Sequence, residues 1–118
     1  MPDTRLSIRI DLPGGDRIGP GKIALLEAIA KAGSISAAAR TLEMSYRRAW
    51  LLVEEINNAL REPAITAATG GQHGGGAMLT PMGKEIITLY RAVEHRAKTS
   101  ANGEFRALEK LMRRKGKK

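Results

Sequence analysis

Two arginines and a tyrosine follow a serine near the middle of the chain, in the order Ser45-Tyr46-Arg47-Arg48. A serine hydroxyl can accept a hydrogen bond from a free amide of a first helical turn, so Ser45 is predicted to cap a helix. Unpaired guanidinium groups are rarely buried, and a cationic pair in a first turn opposes the helix dipole. Phosphate groups or the acceptor edge of guanine would supply the missing partner. These residues therefore predict contact with double-stranded DNA, the alternative being a solvated helix start.

The segment before this helix is short and rich in alanine, which suits a small helix that packs closely on a second one. Ser36 is predicted to be its N-cap and, like Ser45, to contact DNA phosphate. A tight turn is predicted at Glu43 and Met44. Two helices joined in this way, over residues 36–60, indicate a helix-turn-helix. The second helix should run to about Leu60. Its apolar stripe is expected to face the core with Trp50 beside it, and the members of that stripe are Ala49, Val53, Ile56 and Leu60.

A glycine-rich stretch lies between two short strand candidates, residues 64–69 and 77–80. Five of the seven residues from 70 to 76 are glycine, which excludes a helix or an ordinary strand interior. The pattern predicts a hairpin whose bare tip can approach DNA as a wing, the alternative being a flexible linker. The predicted DNA contacts of this wing are Gly71, Gln72, His73 and Gly74.

The chain before the two-helix unit carries a strand pattern and a helix pattern. Apolar and polar residues alternate over 6–12, which predicts a strand with one buried face, ended by residues 13–16. A helix is predicted from Pro20 to about Ala32, with Gly33 as its C-cap. These two elements should complete the core beneath the helix-turn-helix.

The chain after the hairpin is predicted to form a long helix, residues 81–100, with Thr80 as N-cap and Pro81 at its first position. Its apolar stripe consists of Met82, Ile86, Leu89, Tyr90, Val93 and Ala97. Asn102 and Gly103 interrupt the pattern, and a further short helix is predicted over 104–112. Residues 113–118 form a basic tail expected to attract phosphate regardless of sequence.

Composition narrows the class of protein. The formal charge of the 118 residues is +8 and the pI is about 10.3, which favours a polyanionic partner. Cysteine is absent, so disulfides and thiolate metal sites are excluded. His73 and His95 fall on different predicted elements, and we expect no metal site, no cofactor and no catalytic residues. The absence of a membrane span or signal peptide predicts a cytoplasmic protein, and its compactness and motifs predict a prokaryotic one.

Three motifs resemble the N-terminal winged helix-turn-helix domain of the ModE family of molybdate-responsive transcription regulators. They are Gly33-Ser-Ile-Ser-x-Ala-Ala39, Met44-Ser-Tyr-Arg-x-Ala-Trp50, and the glycine-rich segment 68–83 with its Leu-Thr-x-x-Gly end. LysR-type DNA-binding domains resemble the chain more distantly. The resemblance implies a homodimer that binds palindromic operators, with a recognition helix over 45–60 and a wing over 70–76. It also implies a dimer interface formed by the last helix, the first strand and the first helix.

Two departures from the family pattern modify these expectations. Family members carry C-terminal oxyanion-binding domains and this chain ends at Lys118, so molybdate binding is not expected. Ala67 and Gln72 stand where the family commonly has basic residues, which predicts wing contacts that are weaker or that rely on backbone amides and His73.

The complete prediction is a mainly α fold with a small β-hairpin, a winged helix-turn-helix with a long C-terminal dimerisation helix. Residues 1–100 form this domain, including the wing over 64–80, and 101–118 form the short helix and tail. The predicted function is a sequence-specific, homodimeric transcription regulator without an oxyanion-sensing domain. A non-specific architectural DNA-binding protein and a protein-interaction module are the alternatives.

Overall fold

Five α-helices and two antiparallel hairpins follow one another in the computed structural model, which describes residues 4–68 and 76–113. The helices are α1 Pro20–Ala32, α2 Ile35–Thr41, α3 Tyr46–Ala59, α4 Pro81–Ser100 and α5 Asn102–Leu111. The strands are β1 Ile10–Asp11, β2 Arg17–Ile18, β3 Ile65–Ala67 and β4 Ala77–Leu79. The predicted mainly helical architecture, with a small hairpin between the helix-turn-helix and a long helix, is confirmed.

Helix α1 is the centre of the core. It begins at Pro20 and ends at Gly33, whose φ of 81° is left-handed and whose amide donates to the carbonyl of Ile29, as predicted for a glycine C-cap. Four of its side chains are essentially inaccessible to solvent: Ile23, Leu25, Leu26 and Ile29. Because these side chains point to more than one side of the helix, α2, α3 and α4 can all pack around α1.

The N-terminal segment forms a smaller strand than predicted. The expected alternation is present, since residues 6, 8 and 10 are half-buried while 7, 9 and 11 are exposed. Within this segment, however, only β1 is paired, and its partner is β2. Gly14 and Gly15 have φ near 90° and turn the chain back into β2, which was not predicted from the sequence. The carbonyl of Ile8 accepts from the hydroxyl of Tyr90 at 2.6 Å instead of from a strand. The segment is thereby held on α4.

The two helices of the helix-turn-helix are α2 and α3. Ala38 and Ala39 of α2 and Ala49 of α3 are buried, so the helices approach closely, as the small side chains predicted. Glu43, with φ of 56°, forms the tight turn between them. The prediction of Ser36 as the N-cap of α2 was wrong. Ser34 caps this helix by accepting from the Ala37 amide at 3.0 Å, because the helix begins one residue before Ser36.

Strands β3 and β4 form the predicted hairpin, with Ile65 opposite Leu79 and Ala67 opposite Ala77. The hairpin is attached to the helices at both ends. The Ala77 amide donates to the carbonyl of Gly33, beyond the end of α1, at 2.9 Å. At the other end, the Thr80 amide donates to the carbonyl of Ala64 at 2.9 Å, just before α4 begins. The base of the hairpin is therefore part of the packed domain.

Helix α4 begins as predicted, because the Thr80 hydroxyl accepts from the Gly83 amide at 3.1 Å and Pro81 follows the cap. Arg91 joins α4 to α1 through two hydrogen bonds to Glu27, of 2.7 and 3.0 Å, which raise the pKa of the arginine. Helix α5 begins at Asn102, two residues before its predicted start. Asn102 and Gly103 thus lie in its first turn, and Ala101 forms the break from α4.

Candidate nucleic-acid interface

Four of the residues predicted to contact DNA lie together at the start of α3. The hydroxyl of Ser45 accepts from the Arg48 amide at 3.0 Å, which confirms the predicted cap. Tyr46, Arg47 and Arg48 follow in the first turn, and all three are exposed. Because the cap uses the serine oxygen as an acceptor, its hydrogen remains able to donate to an anion. Two guanidinium groups and a hydroxyl donor are therefore exposed at the start of one helix.

Helix α3 has four distinct sides, which follow from its spacing of 3.6 residues per turn, and one of them carries Arg48 and Glu55. Ala49, Val53 and Ile56 face the core. The opposite side carries exposed residues at spacings of four, three and four, namely Arg47, Leu51, Glu54 and Asn58. A third side faces the β3–β4 hairpin and carries Tyr46, Trp50 and Asn57, with Val53 at its border. The outward side is the one that a DNA major groove could accept, because nothing else packs on it in the described chain.

Trp50 does not face the core as predicted. Its exposed fraction is 43%, and that of Tyr46 is 56%. Trp50 is exposed because it lies about a quarter of a turn from Ala49, on the side of α3 that faces the hairpin. Leu51, on the outward side, is 48% exposed. The sequence reading missed both residues as candidate contacts, although each follows a proposed contact, Tyr46 or Arg47, by four positions and so lies on the same side.

Asn57 fixes the hairpin against α3, and the sequence reading did not identify it. Its side-chain oxygen accepts from the amides of Ala64 and Ile65, at 2.8 and 3.2 Å. Its side-chain nitrogen donates to the carbonyl of Ile65 at 3.1 Å. These bonds lie at the start of β3 and are partly buried. Asn57 therefore sets the position of the hairpin relative to the helix that carries the arginines.

Replacing Asn57 with alanine is expected to reduce the free energy of unfolding by about 1–2 kcal/mol, because backbone groups of Ala64 and Ile65 lose their partners. Chemical denaturation measures this loss. Replacing Asn58, an exposed neighbour on the outward side, is the matched control and should leave stability within about 0.5 kcal/mol of the original. Equal stability of the two variants would contradict the role of Asn57.

Ser36 lies in the first turn of α2 and accepts from the guanidinium of Arg40 at 3.2 Å. It lines the same groove as Tyr46 and Trp50, so the structure brings it near the predicted contacts even though it is not a cap. Its phosphate contact stays a prediction. The predicted wing contacts Gly71, Gln72, His73 and Gly74 lie outside the described residues, as do tail residues 114–118.

The residues 4–68 and 76–113 bear on two other kinds of site. In these ranges no three side chains of the His, Cys, Asp or Glu types come together in a way that would hold a metal ion. Within the same ranges, none of the helices combines the length and the apolar character that crossing a membrane requires.

The relatives found by comparison with known proteins agree with one another. The chain is 52% identical over 80 residues to the molybdenum-pterin-binding protein MopB of Rhodobacter capsulatus, covering 68% of this chain and 30% of MopB. It is 34% identical to the molybdenum transport protein ModE of Azotobacter vinelandii, covering 92% of this chain and 43% of that protein. It is 44% identical over 71 residues to the DNA-binding transcriptional dual regulator ModE of Escherichia coli K12, covering 60% of this chain and 27% of the regulator. No family model matches the chain.

The structural comparison agrees with these relatives. The DNA-binding domain CbnR_DBD, solved in complex with DNA, superposes with a TM-score of 0.58 and 20% identity, covering 75% of this chain and 95% of that domain. This likeness shows the winged-helix fold. The chain spans less than half the length of the relatives named above. The predicted resemblance is confirmed: the relatives of this chain are ModE and Mop proteins, matched over part of their length, and its fold is that of the LysR-type DNA-binding domain CbnR_DBD.

Proposed function

We propose that this chain is a sequence-specific transcription regulator that binds palindromic operators as a homodimer. The observation that carries the proposal is the outward side of α3, where Arg47 and Leu51 stand exposed opposite the core stripe. A cationic and an apolar side chain on one exposed helix face match the acceptors and methyl groups that the major groove displays. The names of the ModE relatives and the fold of CbnR_DBD support DNA as the partner.

The proposed docking places α3 in the major groove and the β3–β4 hairpin beside it. Arg47 and Leu51 then face base edges, while Ser45 and Arg48 lie at the rim, where phosphates pass. The formal charge of +8 adds an attraction that does not depend on sequence. We assign no catalytic residue and no cofactor to this chain. Molybdenum-pterin binding remains a property of the relatives whose names carry it, and the proposal does not require it.

Selection of genomic fragments by the purified protein at near-physiological salt tests this function. Enrichment of one palindromic motif is the expected result, because a two-fold symmetric dimer reads two equal half-sites. Recovery of many fragments without a shared motif would contradict sequence specificity and would favour a non-specific architectural protein. Recovery of no DNA at low salt would contradict DNA binding and favour a protein-interaction module.

Helix α4 is proposed to supply the dimer interface. Leu89 and Val93, four residues apart, share one side of α4 and are 56% and 44% exposed. Two apolar side chains left in water on a long helix are what an isologous contact between two copies would cover. This proposal agrees with the predicted dimerisation helix. The core buries only part of the apolar stripe of α4, so the rest of the stripe is available for a contact between two copies.

Replacing Leu89 with glutamate is expected to convert the dimer to a monomer at micromolar concentration, because two carboxylates would be buried near the two-fold axis. Sedimentation equilibrium measures the mass. The matched control is Thr88→Glu, which adds the same charge at an exposed position on another side of α4 and should leave the dimer intact. A monomeric wild-type protein would contradict the proposed dimer, and loss of the dimer in both variants would contradict the assignment of this side of α4.

A further inference from the structure

A groove of about 410 Å³ separates the start of α3 from the β3–β4 hairpin. Tyr46 and Trp50 form one wall, and Thr66, Ala67 and Ala77 form the other. Ser36 and Ile35 of α2 close one end, and the remaining lining residues are Val53, Ile65 and Gly76. The groove is open to solvent and continues directly from the exposed start of α3, where the arginines lie.

The rings of Tyr46 and Trp50 are exposed although the hairpin lies beside them. Tyr46, Trp50 and Asn57 all lie on the side of α3 that faces the hairpin. At the far end of this side, Asn57 holds β3 against the helix through its three hydrogen bonds. At the near end the hairpin stands away from the helix, and the rings of Tyr46 and Trp50 keep about half of their surface in water. The hydrogen bonds of Asn57 thus hold the hairpin in a position that leaves this groove open.

The charge around the groove favours an anionic partner over a cationic one. Among its described lining residues none is acidic, and the polar group at its end is the Ser36 hydroxyl. That hydroxyl accepts from the guanidinium of Arg40, which places a cation next to the groove. An occupant with an apolar surface and flanking negative charges therefore fits best. Deoxyribose rings joined by phosphates have this composition.

We propose that this groove receives the sugar–phosphate backbone of one DNA strand, with deoxyribose packed on Trp50 and Tyr46 and a phosphate beside Ser36 and Arg40. This inference rests on the proposed function. If α3 lies in the major groove and the hairpin lies over the adjacent minor groove, the ridge between them is a sugar–phosphate strand. Trp50 and Tyr46 are then positioning residues, which fix the docking angle of α3 without reading a base.

Trp50 is the single tryptophan of the chain, so its fluorescence reports on this groove alone. Titration with a mixed-sequence duplex and with a duplex recovered by selection is expected to change the intensity or wavelength of its emission. The change should follow the same binding curve as the anisotropy of an end-labelled duplex. Trp50→Ala is expected to weaken binding to both duplexes by roughly 10-fold, because the buried apolar contact is lost. Trp50→Phe should recover most of this loss, and circular dichroism checks that both variants fold.

Three results distinguish the explanations. If anisotropy shows binding while Trp50 emission and the affinity of Trp50→Ala stay unchanged, the groove is empty and this inference is wrong, whereas the proposed function stands. If the wild-type protein shows no anisotropy change with either duplex, the proposed function itself fails. Replacing thymine by uracil in the duplex removes base methyl groups but no backbone atom. If this replacement abolishes the penalty of Trp50→Ala, the occupant is a thymine methyl, and the backbone assignment is overturned.

A matched control separates this groove from a general loss of exposed apolar surface. Leu111 of α5 is 81% exposed and lies on a helix that takes no part in the groove. Leu111→Ala is expected to bind both duplexes as the wild-type protein does. An equal loss of affinity in Leu111→Ala and Trp50→Ala would contradict a specific role for Trp50.

Discussion

Replacing Gly83 with alanine is expected to lower the free energy of unfolding by about 3 kcal/mol or more. Gly83 is buried in the first turn of α4, and a Cβ built there would stand 2.4 Å from the carbonyl oxygen of Ala64. The same Cβ would lie 3.2 Å from the carbonyl carbon of Ala64 and from a methyl group of Leu79. Overpacking at a well-packed site typically costs about 1–3 kcal/mol, and backbone offers less relief than a side chain.

Ala64 cannot easily move away from this contact. Its amide donates to Asn57 of α3 at 2.8 Å, and its carbonyl accepts from the amide of Thr80 at 2.9 Å. A shift of Ala64 would therefore disturb the attachment of the hairpin to α3 and the cap of α4 together. For this reason we place the expected cost at the upper end of the range or above it.

Gly21→Ala is the matched control for this prediction. Gly21 lies in the first turn of α1, and a Cβ there would meet nothing within 4 Å. Alanine favours the helix more than glycine does, so stability should be unchanged or higher by about 0.4–1 kcal/mol. Thermal and chemical denaturation of both variants measure the difference. If Gly83→Ala were as stable as Gly21→Ala, the close approach of α4 to Ala64 would be wrong.

The sequence predicted those parts of the fold that depend on neighbouring residues. Helix α1 has its predicted bounds because Pro20 and Gly33 act locally on the backbone. Ser45 and Thr80 cap their helices for the same reason. The alternation is real over residues 6–11, but Leu12 is exposed, and the carbonyl of Ile8 bonds to Tyr90, which lies 82 residues away, instead of to a strand. A contact of that separation has no local signal.

In the candidate site, too, the sequence predicted local features and missed contacts between distant residues. The arginines at the start of α3 could be identified because their charge and their position after a cap are both visible in sequence. Trp50 was assigned to the core because apolar character alone does not distinguish a core side from a side that faces a gap. Asn57 was missed because its partners, Ala64 and Ile65, come near it only when the hairpin folds back on α3. Asparagine at an otherwise ordinary helical position gives no pattern from which this contact could be read.

The two arginines are expected to differ in what they read. Arg47 lies on the outward side of α3 with Leu51, opposite the core, where the proposed docking brings its guanidinium to base edges. Arg48 lies to one side, beside Ser45 and Glu55, and the proposed docking places it at the rim of the groove, near phosphates. Arg47→Ala is therefore expected to reduce the preference for the correct base by about 1–3 kcal/mol, as for loss of a bidentate contact to guanine. Arg48→Ala should weaken binding to all sequences equally.

Salt dependence measured on two duplexes separates these roles. For each variant, affinity is measured for the duplex recovered by selection and for one with a changed base pair, over a range of salt concentrations. Arg48→Ala should lower the slope of log affinity against log salt by about 0.9 on both duplexes, since one phosphate contact is lost. Arg47→Lys keeps the charge but cannot form the bidentate contact, so it should retain the salt slope and lose the base preference. Arg106→Ala, at an exposed position on α5, removes the same charge away from α3 and is the control.

The opposite pattern would reassign the residues. If Arg47→Ala lowered affinity for both duplexes by the same factor, Arg47 would be a phosphate contact, and α3 would lie in the groove rotated toward its Arg48 side. Glu55, on that side, would then approach the DNA, because it follows Arg48 by seven positions, about two helical turns. A carboxylate near phosphate opposes binding unless it is paired, and Lys22 of α1 already pairs with Glu55 at 3.1 Å. In the rotated arrangement, the ion pair with Lys22 would reduce the repulsion between Glu55 and phosphate. Lys22→Ala should therefore weaken binding only if Arg47 proves to be the phosphate contact.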